Sequence, residues 1–242
     1  MSIIRQTKGY CPCCNQETTF IAKGYWLRDE YKCCKCNSKP RNRALNKVLR
    51  EICPNYKELR LHESSPSRRQ IKKMLQECDN YTYSYFYKDL PLGTELEDGG
   101  VNENLEQLTF QNNTFDIFIT QDVMEHVLDP EKAFREIERV LDKGGIHIFT
   151  TPIYLFTKTR ARVQFDGKKY TNILPPIYHG NPIDEKGSLV TYDWGDDIGE
   201  FIDRNSHMKT EIVQFYHTKE NYELGLEADF LQVIISRKLS NS

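Results

Sequence analysis

Two cysteine pairs, Cys11/Cys14 and Cys33/Cys36, set the tightest limit on how this chain can begin its fold. Each pair has two residues inside it, and eighteen residues separate the pairs. A two-residue gap lets one tight turn present two thiolates to a single ion, and two such turns complete a tetrahedron. That spacing predicts a structural Zn2+ site, because four thiolates leave no position open for a substrate. Cys13 and Cys34 lie in the same cluster, so the register is not unique and both stay open as alternative ligands. The stretch between the pairs, TTFIAKGYWLRDEYKC, reads as a β-ribbon, and residues 1–40 are expected to form a zinc-binding knuckle. The segment MSIIRQTKGYC has no signal-peptide core, and no stretch nears the ~18 apolar residues of a membrane span. A cytoplasmic, reducing compartment is therefore expected, where metal ligands and buried thiols outnumber disulfides. Cys53 and Cys78 stand alone and read as buried core thiols.

Residues 41–56 read as a linking helix, with apolar positions at Ala44, Leu45, Val48, Leu49 and Ile52 and a stop at Pro54. Residues 57–242 are expected to form one further domain. With 38% hydrophobic and 12% aromatic residues the chain can build a real core, which excludes disorder. The formal net charge of -2 argues against a nucleic-acid binder, which needs a basic face. Lys32, Lys35, Lys39, Arg41 and Arg43 around the second cysteine pair keep a local basic patch open.

After the linking helix, elements alternate. ELRLHE (58–63) reads as a strand, SRRQIKKMLQEC as a helix, YTYSYFY as a strand, and FDIFIT (115–120) as a strand buried on both faces. Asp129 and Pro130 form a helix start, Ala133, Phe134, Ile137, Val140 and Leu141 its buried stripe, and Gly144–Gly145 its expected end. GIHIFTTP follows as a strand. This order predicts an α/β fold with a mostly parallel sheet and helices on both faces. Residues 154–197 read as a loop-rich insertion, followed by a helix near 197–205 and strands in TEIVQFYH and FLQVIISRK.

NTFDIFITQDVMEHVLDPEKAFREIERVLDKGGIHIFTTP resembles the fourth-to-fifth strand region of class I S-adenosylmethionine methyltransferases of the type 11 kind. The resemblance implies a Rossmann-like fold that binds ligands beyond the carboxyl ends of its strands. It further implies S-adenosylmethionine as cofactor. ENLEQLTF is similar to the family's adenine-contacting segment, which points to Asn104 and Leu105. The family's acidic residue and Gly-x-Gly turn after the first strand are replaced here by LHESSPSRR, where Glu63, Ser64 and Ser65 are the expected contacts. In the second strand Ser84 and Tyr85 stand near the usual ribose-binding acid, and Gln121 and Asp122 follow the fourth strand. The segments YTYSYF and YHGNPIDEKGSLVTYDWGDD are similar to those of a subgroup of bacterial methyltransferase-like proteins in which the altered first turn is a shared trait.

The expected activity is transfer of a methyl group to a small-molecule or glycan-type acceptor, with neither nucleic acid nor membrane as the main partner. His179 is the first candidate base, and His126 a candidate for closing the pocket or orienting its loop. Tyr178, Tyr192, Asp193 and Trp194 are expected to wall the acceptor site, and Asp193, Asp196 and Asp197 either hold a hard cation or cap a helix. Two rivals remain: a non-catalytic binding module on the same fold, and an RNA methyltransferase holding RNA on its zinc ribbon.

Overall fold

The computed structural model describes residues 2–180 and 186–240. Asn181 and Pro182 of the YHGNP segment lie outside them.

The chain opens with a three-stranded antiparallel ribbon of β1 (Arg5–Cys11), β2 (Gln16–Ala22) and β3 (Lys32–Cys33), with a single helical turn, α1 (Leu27–Glu30), between the last two. Helix α2 (Pro40–Ile52) follows, with proline at its first position and Ala44, Leu45, Val48 and Leu49 on its buried face.

The body is a seven-stranded sheet. Its strands are β4 (Leu61–Ser64), β5 (Tyr81–Tyr85), β6 (Val101–Asn102), β7 (Phe115–Gln121), β8 (Leu141–Thr150), and, after the insertion, β16 (Met208–Gln214) and β17 (Gln232–Lys238). Across the sheet the order is β16-β17-β8-β7-β4-β5-β6. The five strands from β8 to β6 are parallel, and β17 runs antiparallel to both its neighbours. Strand order turns at β4, which pairs with β5 on one side and β7 on the other, so a crevice opens beyond the carboxyl ends of these strands.

Helices α2 and α3 (Arg68–Glu77) cover one face, where Leu45, Leu49, Met74, Leu61 and Ile148 pack together. Helices α4 (Pro130–Val140) and α5 (Ile198–Asn205) cover the other, with Phe134, Ile137, Phe118, Trp194 and Ile202. This is the mostly parallel sheet with helices on both faces expected from the alternation, in the Rossmann-like arrangement that the resemblance implies.

Helix α4 starts as expected, with the Asp129 side chain accepting from the Lys132 N–H at 3.0 Å. It does not end at the glycines. It stops at Val140, and Leu141 already opens β8. Between the Phe115–Leu141 and Ile117–Ile146 pairs β8 runs ahead of β7, and Gly144 at φ +73° and Gly145 supply that irregularity. A Cβ at Gly145 would sit 2.9 Å from the Asp142 carbonyl oxygen.

The insertion is less loop-like than its composition suggests. Strands β9 (Ile153–Tyr154), β10 (Arg160–Ala161) and β15 (Tyr192–Gly195) form one small sheet, and β11 (Val163–Phe165) with β12 (Tyr170–Asn172) and β13 (Tyr178–His179) with β14 (Ser188–Leu189) form two pairs. Among the described residues no helix is long and apolar enough to cross a membrane.

Candidate active site

The sulfurs of Cys11, Cys14, Cys33 and Cys36 lie within 4.8 Å of one another, with Cys11–Cys36 at 3.6 Å and Cys14–Cys33 at 3.9 Å. Two similar turns bring them together: Asn15 and Asn37, each just after a second cysteine, take φ +56° and +58°, and each N–H returns to the carbonyl of Cys11 or Cys33. Ser38 Oγ stands 3.3 Å from Cys11 Sγ and 3.1 Å from Cys36 Sγ. The fully buried Arg43 guanidinium sits 4.4 Å from the Phe20 ring centre and donates to the carbonyls of Ser38, Tyr31 and Gly225. Of the alternative ligands, Cys34 is exposed, and Cys13 is buried but outside the sulfur group. Cys78 is buried as expected, whereas Cys53 is only partly so.

The ribbon forms one wall of a cleft of about 2350 Å3 that opens at the carboxyl ends of β4, β5 and β7. Ser64, Ser65, Tyr85, Asn104, Leu105, Gln121 and Asp122 all line it. Ser65 takes φ +56°, the left-handed conformation a glycine accepts freely, and its N–H bonds the Ser84 carbonyl at 2.8 Å. Tyr85 donates its hydroxyl to the Pro66 carbonyl at 2.7 Å, which fastens the turn against β5. Pro66 sits in the cleft wall and leaves the cleft open. In the neighbouring loop Asn104 accepts the N–H of Glu106 on its side chain, at 3.0 Å, and that of Gln107 on its carbonyl.

Glu63 and Ser84, two of the expected contacts, stand behind this wall. Glu63 is fully buried and accepts from Tyr81 Oη at 3.0 Å and Gln121 Nε2 at 2.8 Å. Burial raises its carboxyl to about 7, against the hydrogen bonds that favour ionisation. Ser84 lies 3.0 Å from Nε2 of the buried His62, whose ring burial lowers to about 3 and so keeps neutral. Gln121 does reach the cleft, but its amide also links α2 to β4 by accepting from Asn42 at 2.8 Å.

Asp122, which lines the cleft, also carries a structural task. Both its oxygens accept from the Arg28 guanidinium of α1, and Arg41 Nε of α2 lies 3.0 Å away. Burial pulls this carboxyl upward, yet the two guanidiniums outweigh it and hold the group below the ordinary carboxylate range. Asp122 thus clamps the ribbon to the end of β7.

The far end of the cleft holds His126, His179 and Glu125. The Glu125 side chain is 2% exposed, with one oxygen accepting from Thr151 at 2.9 Å and the other without a hydrogen-bond partner. Nδ1 of His179 lies 3.7 Å from that second oxygen, which holds the imidazole above the usual histidine range. Tyr178 lines the cleft, but Trp194 is fully buried between Phe134 and Phe201, because the apolar face of α5 needs it there. The aspartates after β14 are separated as well. Asp193 pairs with Arg160 and Arg162, Asp196 accepts from the Phe156 N–H, and Asp197 from the Thr159 N–H.

Glu125 was visible only as part of a motif, and the part played by Arg28, Trp26 and Asn42 in the cleft had no sequence signal, since nothing local shows that a ribbon folds back over the sheet.

Residues 70–149 match the family model described as a methyltransferase domain. That match begins just past the Ser64–Ser67 turn. No curated protein matches the chain in sequence. Among solved structures, an S-adenosylmethionine-dependent methyltransferase from Mesorhizobium loti is similar at 16% identity and a TM-score of 0.52, covering 81% of this chain and 98% of that one. The YcgJ protein from Bacillus subtilis is similar at 12% identity and a TM-score of 0.52, covering 82% and 99%. At such identities the likeness speaks for the fold. The chain thus has the Rossmann-like fold seen in S-adenosylmethionine-dependent methyltransferases, and within it residues 70–149 are similar to a methyltransferase domain.

Proposed function

We propose that this protein transfers the methyl group of S-adenosylmethionine to a small-molecule or glycan-type acceptor by in-line displacement. The observation that carries the reading is the open cleft at the carboxyl ends of β4, β5 and β7, where strand order turns. Ser64 and Ser65 do there what glycines do elsewhere: Ser64 is small, and Ser65 adopts the left-handed φ, so the backbone stays close to the cleft. Tyr85, Asn104 and Leu105 supply the adjoining wall for a nucleoside. The bound cofactor brings an already activated methyl group on its sulfonium. The task left to the chain is alignment and exclusion of water. We read His179, or His126 beside it in the cleft, as the group that takes the acceptor's proton.

Four sulfurs around one zinc ion at about 2.3 Å would stand about 3.8 Å apart. The distances of 3.6 and 3.9 Å fit that tetrahedron, so we read the ribbon as a structural Zn2+ site. Most of its basic residues are already engaged, which weighs against the RNA reading. Lys39 and Arg41 pair with Asp29, Lys32 with Glu30, and Arg43 is buried, while Lys35 donates to Gln16 and stays exposed.

Titration calorimetry with S-adenosylhomocysteine tests the proposal. Micromolar binding that Ser64→Leu weakens at least tenfold is expected. Absence of any heat up to millimolar ligand would instead favour a fold that has lost its cofactor.

A further inference from the structure

Glu125, His126 and His179 present one oxygen and two nitrogens that all lie within 4.8 Å of one another, in the cleft and far along the chain from the cysteine site. Three details of the surroundings match what metal ligands need. Nδ1 of His126 lies 2.8 Å from the Leu189 carbonyl, to which it can only donate. That fixes the tautomer and leaves Nε2 with a free lone pair, 3.8 Å from Glu125 Oε1. The outer oxygen of Glu125 is held by Thr151, in the way ligating carboxylates are held by a second layer of hydrogen bonds. The inner oxygen, buried and without a hydrogen-bond partner, is the atom that both imidazoles face. A buried carboxylate oxygen needs a positive partner, and since the nearby Arg28 charge is already matched by Asp122, that partner is either a protonated His179 or an ion shared with the two imidazoles.

The geometry points to a second metal site here, built by Glu125, His126 and His179 and taking a divalent transition ion such as Zn2+, Fe2+, Co2+ or Mn2+. Two imidazoles and one carboxylate suit borderline ions, whereas Mg2+ and Ca2+ prefer oxygen alone. Ligands at 2.0–2.2 Å on a tetrahedral ion stand about 3.4 Å apart. The two separations from Glu125, 3.7 and 3.8 Å, exceed that value by a few tenths of an ångström, and the two imidazole nitrogens lie within 4.8 Å of each other, so side-chain rotation has to draw the set together. With three protein ligands the ion keeps at least one position free toward the cleft, which suits an acceptor carrying a hydroxyl or carboxylate oxygen. This goes beyond the methyl-transfer reading and does not require that the cofactor bind; an ion held by both imidazoles would replace the proton-accepting role proposed for them above.

The test uses the full chain, first loaded with one equivalent of zinc and freed of excess metal, then dialysed against Co2+. One further equivalent of cobalt is expected, with the zinc retained and visible bands that lack the near-ultraviolet thiolate-to-cobalt transition. Glu125→Gln and His179→Asn should each weaken uptake of that equivalent at least tenfold while circular dichroism and Tm stay close to the parent's. Should both variants unfold, the parent's own spectrum decides: imidazole-type bands with zinc in place support the site. Cobalt that enters only by displacing zinc from the cysteines, or not at all, overturns it, as does uptake unchanged in folded variants. S-adenosylhomocysteine binding, measured separately without cobalt, shows whether the cofactor reading stands or falls independently.

Discussion

Ser65 holds a backbone conformation that an L-residue enters at a cost of about 1–2 kcal/mol and glycine enters without one. Ser65→Gly is therefore expected to leave the fold intact and raise stability slightly, by up to about 1 kcal/mol, in urea denaturation. A loss of stability would mean that the serine side chain, not the backbone, sets the turn. Glu63 offers a pH test. Its carboxyl is raised from 4.5 to about 7 by burial, so the folded state binds more protons than the unfolded chain across that window. The stability it contributes is complete below about pH 4.5 and lost as pH rises through about 7, on the order of 3 kcal/mol. Melting curves of Glu63→Gln should lack this part of the decline, and an unchanged profile would assign it to another group. At this scale the sequence showed which residues end each strand but not which of them face the cleft. All four residues of β4 are buried, so no alternation of polar and apolar separates Ser64, which lines the cleft, from Glu63, which stands behind it.

Elements with strong local signals were legible. The Asp129–Pro130 start of α4 and the apolar run of β7 stand where their chemistry placed them. The Gly144–Gly145 pair misled, because two glycines after a helical stripe serve equally well as a helix end or as an irregularity inside the next strand. The insertion was misjudged for another reason. Its strands of two to four residues are too short to leave a periodicity to read, and its small sheet is held by partners distant in sequence, such as Arg160 of β10 with Asp193 of β15. Strand β1 shows how closely elements can pack without a local sign of it. A Cβ at Gly9 would fall 1.9 Å from the Glu223 carbonyl oxygen at the end of α6 (Lys219–Glu223). Gly9→Ala should cost about 1–3 kcal/mol through this clash, read as a lowered Tm, and no change would mean that α6 yields freely.

Across the whole molecule the ribbon is part of the body rather than an appendage. Arg28 donates both to Asp122 and to the Phe230 carbonyl, Arg5 pairs with Glu227, and Arg43 reaches Gly225. Breaking the buried Arg28–Asp122 pair by Arg28→Ala should cost up to about 3 kcal/mol in chemical denaturation, because it leaves a buried carboxylate to Arg41 alone. Arg28→Ala combined with Asp122→Asn should recover much of that loss, and equal losses would show that the pair is not the cause. Removing zinc with a chelator is expected to lower Tm and to weaken S-adenosylhomocysteine binding together, since the ribbon walls the cleft. Chelated protein that keeps full affinity would separate the two.

Part of the ribbon's seat is made from residues 222–230, which follow it in the chain by about two hundred positions. The ribbon therefore leaves the ribosome before this part of its seat exists. The wall it gives the cleft is fastened on that side only when residues 222–230 arrive. A chain cut short before residue 222 would lose both these contacts and β17, the strand that joins β16 to β8, so the wall of the cleft and the sheet beneath it depend on the same stretch of chain.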